Sequence, residues 1–375
     1  MEFIPCRIDD VSDFDAFDAL FQQKLTQIAL ENPEAEILLN ISSGSPQMKF
    51  TICLLATNVK FRNTTVVQVK TPEKKSNTSD TTAKKSYEPD VEIKLNEDNN
   101  PNAENRCSIP PFFAIKRTLA LKQVQALLKN YEYKSAKILL DSFDLADVGS
   151  AAMILTKHLL LRQDLKTKES EKLVSGKDFG IELLPIANIK CREETEFFLV
   201  LQNLSRTGKI TEFTLRLNPF IIRMQELYLL KKLQFDCEKI KERDFHGIAF
   251  VKRDKIQTIN SKLLKTIDSS FKYGFKDSPP SIALYNRILA FLNGDQDTAY
   301  YIDFFNTCEH INNERNTSAH SLYGMDESDL KKNGITSQKI LSKLRKLLLS
   351  CYGKECKNEI FDIYDRINVM IMNSL

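Results

Sequence analysis

Late in the chain, the eight residues Asn313-Glu314-Arg315-Asn316-Thr317-Ser318-Ala319-His320 bring together a guanidinium, an amide, two hydroxyls and an imidazole. Histidine is scarce, with four in the whole chain, and only His320 has an arginine five residues upstream. Imidazole titrates near neutral pH and can take and return a proton. Arginine stays charged and presents a planar fork to phosphate oxygens. The pair suits phosphodiester cleavage without a metal. His320 would take a proton from a ribose 2′-OH or protonate the leaving oxygen. Arg315 would stabilise the charge building on phosphorus-bound oxygens, and Asn316 would orient the phosphate or the imidazole. On a helix, five residues turn through about 500°, which leaves the two positions about 140° apart. Either Arg315 sits at a bend, or two chains pool their residues across a symmetric interface. A capped helix start with a solvated His and Arg has the same pattern, so the rest of the chain must decide.

The chain has 375 residues, long enough for two or three domains with their own cores. Its net charge of +3 is too small to argue for nucleic acid from the total, so any basic footprint must be local. The eight cysteines are scattered, with no Cys-x2-Cys and no zinc-spaced His nearby. Reduced, buried thiols are expected, and no metal site. The start, MEFIPCRIDDVSDFDAFDAL, is acidic and has no signal-peptide core. No stretch has the length and apolarity of a membrane span. A cytoplasmic protein with no membrane partner is expected.

The elements that must position the chemistry begin with a short strand over Glu2 to Cys6, which leads into a helical stripe from Asp13 to Leu30. Glu36 to Ile41 is an apolar run, read as a buried parallel strand. Ser42-Ser43-Gly44-Ser45-Pro46 follows, then a helix from Gln47 to Ala56, and then the β-branched strand Thr64 to Val69. Such β-α-β units build an open parallel sheet that binds ligands at the carboxyl ends of its strands. Ser42 to Gln47 sits at that point. A Ser/Gly loop running into a helix, with Pro46 in the first turn, offers backbone N–H groups to an anion. Thr71-Pro72-Glu73-Lys74-Lys75-Ser76-Asn77 is a second polar loop on the same edge. Both are also compatible with plain turns. Gly-x-x-x-x-Gly-Lys-Ser/Thr is absent, which excludes a P-loop site.

Residues 71 to 106 are polar, broken by Val91 to Leu95 as one edge strand. Asn105-Arg106 then precedes the next ordered segment, and Arg106 can reach a phosphate. Helices follow over 112–128, 133–140 and 146–161, with a charged linker over 166–177. More follow over 193–205, 217–235, 255–270, 281–293, 297–312, 337–352 and 357–372, which form a helical bundle. Tyr300, Tyr301, Phe304 and Phe305 are read as core. Lys331, Lys332, Lys339, Lys343, Arg345, Lys346 and Lys354 lie in a segment without acidic residues up to Lys354. That segment is either an RNA-backbone contact or a solvated basic face. The fold class is α+β: a Rossmann-like parallel-sheet domain (1–106), a helical linker module (107–190) and an all-α domain (191–375).

Taken together, two regions carry a resemblance. Ile37-Leu38-Leu39-Asn40-Ile41-Ser42-Ser43-Gly44-Ser45-Pro46-Gln47-Met48-Lys49, with Val67-Gln68-Val69-Lys70-Thr71-Pro72 after it, resembles the CARF (CRISPR-associated Rossmann fold) sensor domain. The helical domain bearing Arg315-Asn316 and His320 looks like a HEPN ribonuclease domain. This order is that of the CARF–HEPN ancillary ribonucleases of type III (III-A) CRISPR-Cas systems. The resemblance implies a homodimer in which a cyclic oligoadenylate, hexa- over tetra-adenylate, binds across the CARF twofold axis. Binding would activate a composite HEPN site that cuts single-stranded RNA without a metal, using Arg315, Asn316 and His320. The ligand loops would map onto Ser42, Ser43, Gly44, Ser45, Gln47 and Thr71, with Asn105 and Arg106. A complete CARF domain opens with a further strand and loop, so the first sheet strand is expected to be missing here. The other reading is a catalytically silent sensor and RNA-binding dimer with impaired activation. A transcription regulator ranks last and no stable DNA partner is expected, because no helix-turn-helix pattern with a basic recognition helix is seen.

Overall fold

The structure is a computed structural model that describes residues 8, 10, 12–56, 63–70, 90, 94, 99–110, 113–142, 150–320 and 324–375; the side chains of 113–117, 142, 150 and 316–320 are not included. It is a mixed α+β fold with a small sheet near the start and helices thereafter. The chain divides into two compact units, Met1–Ala120 and Leu121–Leu375. The strand expected at Glu2–Cys6 and most of that expected at Val91–Leu95 lie outside the described residues.

In the first unit, α1 (Phe14–Glu31) starts where the Asp13 carboxylate accepts from the Asp15 and Ala16 N–H groups, satisfying donors that have no partner inside the helix. β1 (Ile37–Asn40), α2 (Pro46–Ala56) and β2 (Thr64–Val69) form the expected crossover. β1 and β2 are parallel, with Ile37 opposite Thr64 and Asn40 opposite Val67. β3 (Cys107–Ser108) adds an antiparallel edge, Val69 facing Cys107. Phe21, Leu25 and Leu55 pack with Ile37 and Leu39, so α1 and α2 cover one face of β1. The other face is open among the described residues: Leu38 is 63% exposed. The apolar run therefore reads as a strand buried on one side, where a strand buried on both was expected.

The second unit is one helical core. Its first helices are α3 (Phe113–Lys129, entering from the first unit), α4 (Tyr133–Ser142), α5 (Ser150–Gln163) and α6 (Thr167–Val174). The supposed charged linker is thus largely helical. Ser170, buried within it, places its Oγ 2.7 Å from His158 Nδ1 and docks α6 on α5. Next come α7 (Ile189–Arg206) and α8 (Ile210–Lys232), which runs on through Pro219. A hairpin of β4 (Lys241–Arg243) and β5 (Ala249–Val251) interrupts the helices. Its turn is held by Asp244, which accepts from His246 and Ile248 N–H, and by Gly247 at φ +80°. The single helix expected over 255–270 is two, α9 (Arg253–Ile259) and α10 (Ser261–Ser270). Asn260 breaks it because its extended backbone turns the side chain back to cap Lys262 and Leu263. α11 (Ile282–Leu292), α12 (Gln296–His320), α13 (Glu327–Lys332), α14 (Ser337–Tyr352) and α15 (Ile363–Ser374) complete the unit.

One ion pair lies inside this core. Arg162 donates from Nε and Nη2 to both oxygens of Glu196 at 2.9 and 2.7 Å, and from Nη1 to the Leu183 carbonyl at 3.0 Å. Its guanidinium stacks over the Tyr364 ring. The two residues are 0% and 2% exposed; the bidentate fork and a third N–H bond to a backbone carbonyl offset the cost of burying the charges. The seven described cysteines are free thiols, five of them buried. Among the described residues no helix is long and apolar enough to cross a membrane.

His158 sits one helical turn before Arg162. Burial first, and then the Arg162 charge, hold its pKa down at about 3. The unfolded chain binds a proton at about 6.5 and the folded chain does not. Stability is therefore unaffected by His158 above pH 6.5 and falls as the pH drops below it, by roughly 2 kcal/mol at pH 5. Urea unfolding at pH 7.5 and pH 5 should show that loss, and His158→Leu should reduce the difference by about the same amount.

Candidate functional sites

The Arg315–His320 motif lies in the last turns of α12, and the helix is continuous across it. The helix was expected to stop near residue 312; it runs on to His320. No break in the helix falls at Arg315. At ideal helical spacing Arg315 and His320 occupy positions about 140° apart, while Asn316 and His320, four residues apart, share a face. Arg315 is half-buried; the side chains of Asn316 and His320 lie outside the described set.

Sequence reasoning missed what holds this helix. Asn286, on the mostly apolar α11, donates from Nδ2 to Asn306 Oδ1 at 2.9 Å and to Glu309 Oε2 at 2.7 Å. Its Oδ1 accepts from Gln225 Nε2 of α8 at 2.7 Å, and Gln225 also donates to the Ile282 carbonyl. Asn286 and Gln225 are buried. Both N–H bonds and the carbonyl of the Asn286 amide are thus used, which is what a buried amide requires. Asn306, Glu309, Asn313, Asn316 and His320 recur at helical spacing on α12, so the bonded face and the motif face are continuous. The signal was present in the sequence: one asparagine in the run IALYNRILAFL. Further along, Glu314 accepts from Asn333 Nδ2 at 2.6 Å, which ties the motif end of α12 to the segment between α13 and α14. Tyr301, Phe304 and Phe305 are core as expected, whereas Tyr300 is 44% exposed.

The second candidate site is the carboxyl end of the sheet in the first unit. Ser42 Oγ donates to Asn40 Oδ1 at 2.5 Å and accepts from Val69 N–H at 2.8 Å. It thereby pins the loop after β1 to the end of β2. Ser45 caps α2, its Oγ accepting from Met48 N–H, with Pro46 at the first helical position. Gly44 has φ +104°, a conformation in which a side chain is strained. Ser43 is exposed and Gln47 half-buried. At the end of β2, Lys70 N–H donates to the Arg106 carbonyl, and Arg106 Nη1 donates back to the Lys70 carbonyl at 2.7 Å. Asn105 Oδ1 accepts from Cys107 N–H. The structure therefore brings Ser42, the end of β2, and Arg106 to one edge of the sheet. Thr71 lies outside the described residues.

Residues 183–372 match the family described as the Cas_Csm6 HEPN domain, and residues 1–107 match the Cas_Csm6 CARF domain. A CRISPR system endoribonuclease Csm6 from Enterococcus italicus is 25% identical over 358 residues, 94% of this chain and 79% of that protein. One from Mycobacterium tuberculosis is 26% identical over 366 residues, 96% of this chain and 80% of that protein. Among solved structures, Enterococcus italicus Csm6 bound to cyclic hexa-2′-fluoro-hexa-dAMP aligns with a TM-score of 0.60 at 23% identity, covering 99% of this chain and 82% of that one. At that identity the likeness is one of fold.

Two substitutions test these supports. Asn286→Leu strands Gln225, Asn306 and Glu309, and should cost about 2–3 kcal/mol of unfolding free energy. Ser42→Ala leaves the Val69 N–H without its acceptor and should cost about 1 kcal/mol. Denaturant midpoints with unchanged slopes would register both.

Proposed function

The chain belongs to the Cas_Csm6 family of CRISPR endoribonucleases, and from that premise we propose that it cuts single-stranded RNA at a composite site in a homodimer, gated by a cyclic oligoadenylate. The observation that carries the dimeric site is the unbroken α12. One helix presents Arg315 and His320 in divergent directions, so two copies facing each other across a twofold axis would let one chain's arginine serve a phosphate near the other's histidine. Cleavage proceeds by transesterification. The 2′-oxygen loses its proton and attacks phosphorus, the bond to the 5′-oxygen breaks, and that oxygen is protonated as it leaves. His320 handles the proton, Arg315 holds the charge on the phosphorus-bound oxygens, and Asn316 orients the phosphate. No step needs a metal.

The activator binds in the first unit. Ser42, Ser43, Gly44, Ser45 and Gln47 offer hydroxyls and the start of α2 to its phosphates, with Thr71, Asn105 and Arg106 on the same edge. Cyclic hexa-adenylate is favoured over tetra-adenylate; the Enterococcus italicus protein bound to cyclic hexa-2′-fluoro-hexa-dAMP supports a cyclic oligoadenylate as the ligand class. The functional division is sensor over 1–106, connecting helices over 107–190 and ribonuclease over 191–375; the two matched family domains support it. The protein works in the cytoplasm and holds no DNA stably.

Cleavage of a fluorescent single-stranded RNA in EDTA, with no activator, cyclic tetra-adenylate or cyclic hexa-adenylate, tests the reading. Stimulation by the hexa-adenylate and complete loss in His320→Ala are expected. Cleavage that survives in His320→Ala would sink the assignment. Silence under every condition, with ligand or RNA still bound, would leave the inactive sensor dimer.

A further inference from the structure

The basic segment 331–354 separates, in the fold, into cations that are engaged and cations that are not. Lys332 is paired with Asp329 at 2.6 Å. Arg345 bonds Asn358 and stacks on Phe361. Lys339, Lys343 and Lys346 differ. They stand at i, i+4 and i+7 of α14 and so form one row on the helix. None of them makes an ion pair with a carboxylate among the described residues. Lys339 and Lys346 are exposed. Lys343 is laid across the rings of Tyr300 and Phe304, at 4.8 and 5.2 Å from their centroids, and Tyr300 is the aromatic residue of that group left open to solvent.

Two contacts orient the row. Lys343 lies against Tyr300 and Phe304, in the first half of α12. Asn333, just before α14, bonds Glu314, next to Arg315. α14 therefore runs back along α12, and the order Lys346, Lys343, Lys339, Asn333 leads toward the motif. The row is about 10 Å long, and Tyr300 lies about 22 Å along α12 from Arg315. A row of unneutralised ammonium groups beside an exposed aromatic ring suits a polyanion with stacking bases.

We infer that Lys339, Lys343 and Lys346, with Tyr300, form a track for the RNA backbone that holds phosphates of the strand several nucleotides from the scissile one. The inference rests on RNA being the substrate, and it adds that affinity depends on the length of strand outside the cut. Contacts of this kind are sequence-independent and salt-dependent.

The test uses full-length His320→Ala protein, so that the RNA stays intact, and a fluorescein-labelled single-stranded oligoribonucleotide followed by anisotropy over a series of salt concentrations. Adding Lys339→Gln and Lys346→Gln together should weaken binding roughly tenfold at moderate salt and lower the slope of log affinity against log salt by about 1.4, two phosphate contacts at 0.7 each. Lys339→Arg with Lys346→Arg should restore both, which a merely structural role would not do, and circular dichroism checks that α14 is kept. In the protein with His320 intact, the Gln pair should raise KM for a long RNA and leave kcat in place. Unchanged affinity and slope in the Gln pair, or a weaker affinity with the parental slope, overturns the track. Because binding is read without turnover, absence of cleavage in the parent would count against the ribonuclease reading alone.

Discussion

The side-chain amide of Asn286 is the point at which α8, α11 and α12 are locked in rotation relative to one another. Apolar packing alone leaves a helix some freedom to turn about its axis, because one aliphatic contact can be exchanged for another at small cost. A buried amide has no such freedom. Its two N–H bonds and its carbonyl must all be met, and here they are met by Asn306 and Glu309 on one side and Gln225 on the other. The rotation of α12 then determines where Arg315, Asn316 and His320 are offered, three turns further on. A network worth a few kcal/mol is thus what gives a mobile chemistry a defined direction.

Continuity of α12 then becomes a functional constraint. Neither proline nor glycine, the usual causes of a kink, lies within it. At helical spacing Arg-x4-His therefore places its two ends on different faces of one helix. The same helix carries the exposed Tyr300 at its other end, with Lys343 seated on it.

At the other unit the controlling contact is smaller. Ser42 uses its hydroxyl twice, toward Asn40 and from Val69, so the loop after β1 is held against the end of β2 before any ligand arrives. Ser45 and Arg106 are likewise occupied with backbone groups. Residues that look like free donors in the sequence turn out to shape the loop, and the groups left facing outward are Ser43, the start of α2 and the backbone around Gly44. The loop's entropy is thus spent in folding.

Much was legible in the residues alone. A short apolar run and a β-branched run placed β1 and β2, and period-3.6 apolar patterns placed most of the helices, because such patterns are local properties of the chain. The loop Ser42–Pro46 and the motif Arg315–His320 stood out by residue type, but each also fitted a plain turn or a capped helix end, and only the resemblance to CARF and HEPN domains singled them out. What the residues could not show depends on distant partners. Whether α12 ended at 312 or ran to 320 rested on polar residues of indifferent helix propensity, one of which, Glu314, finds its partner Asn333 on another segment. Most of the charged stretch 166–177 is helical, Thr167–Val174, and Ser170 docks it on His158. Only the fold sorted the basic segment into paired and unpaired cations, since a lysine's neighbours across a helix interface are not its neighbours in the chain. Local pattern determines secondary structure where the periodicity is strong; the direction in which a helix presents its chemistry is a long-range quantity, and tertiary contacts alone decide it.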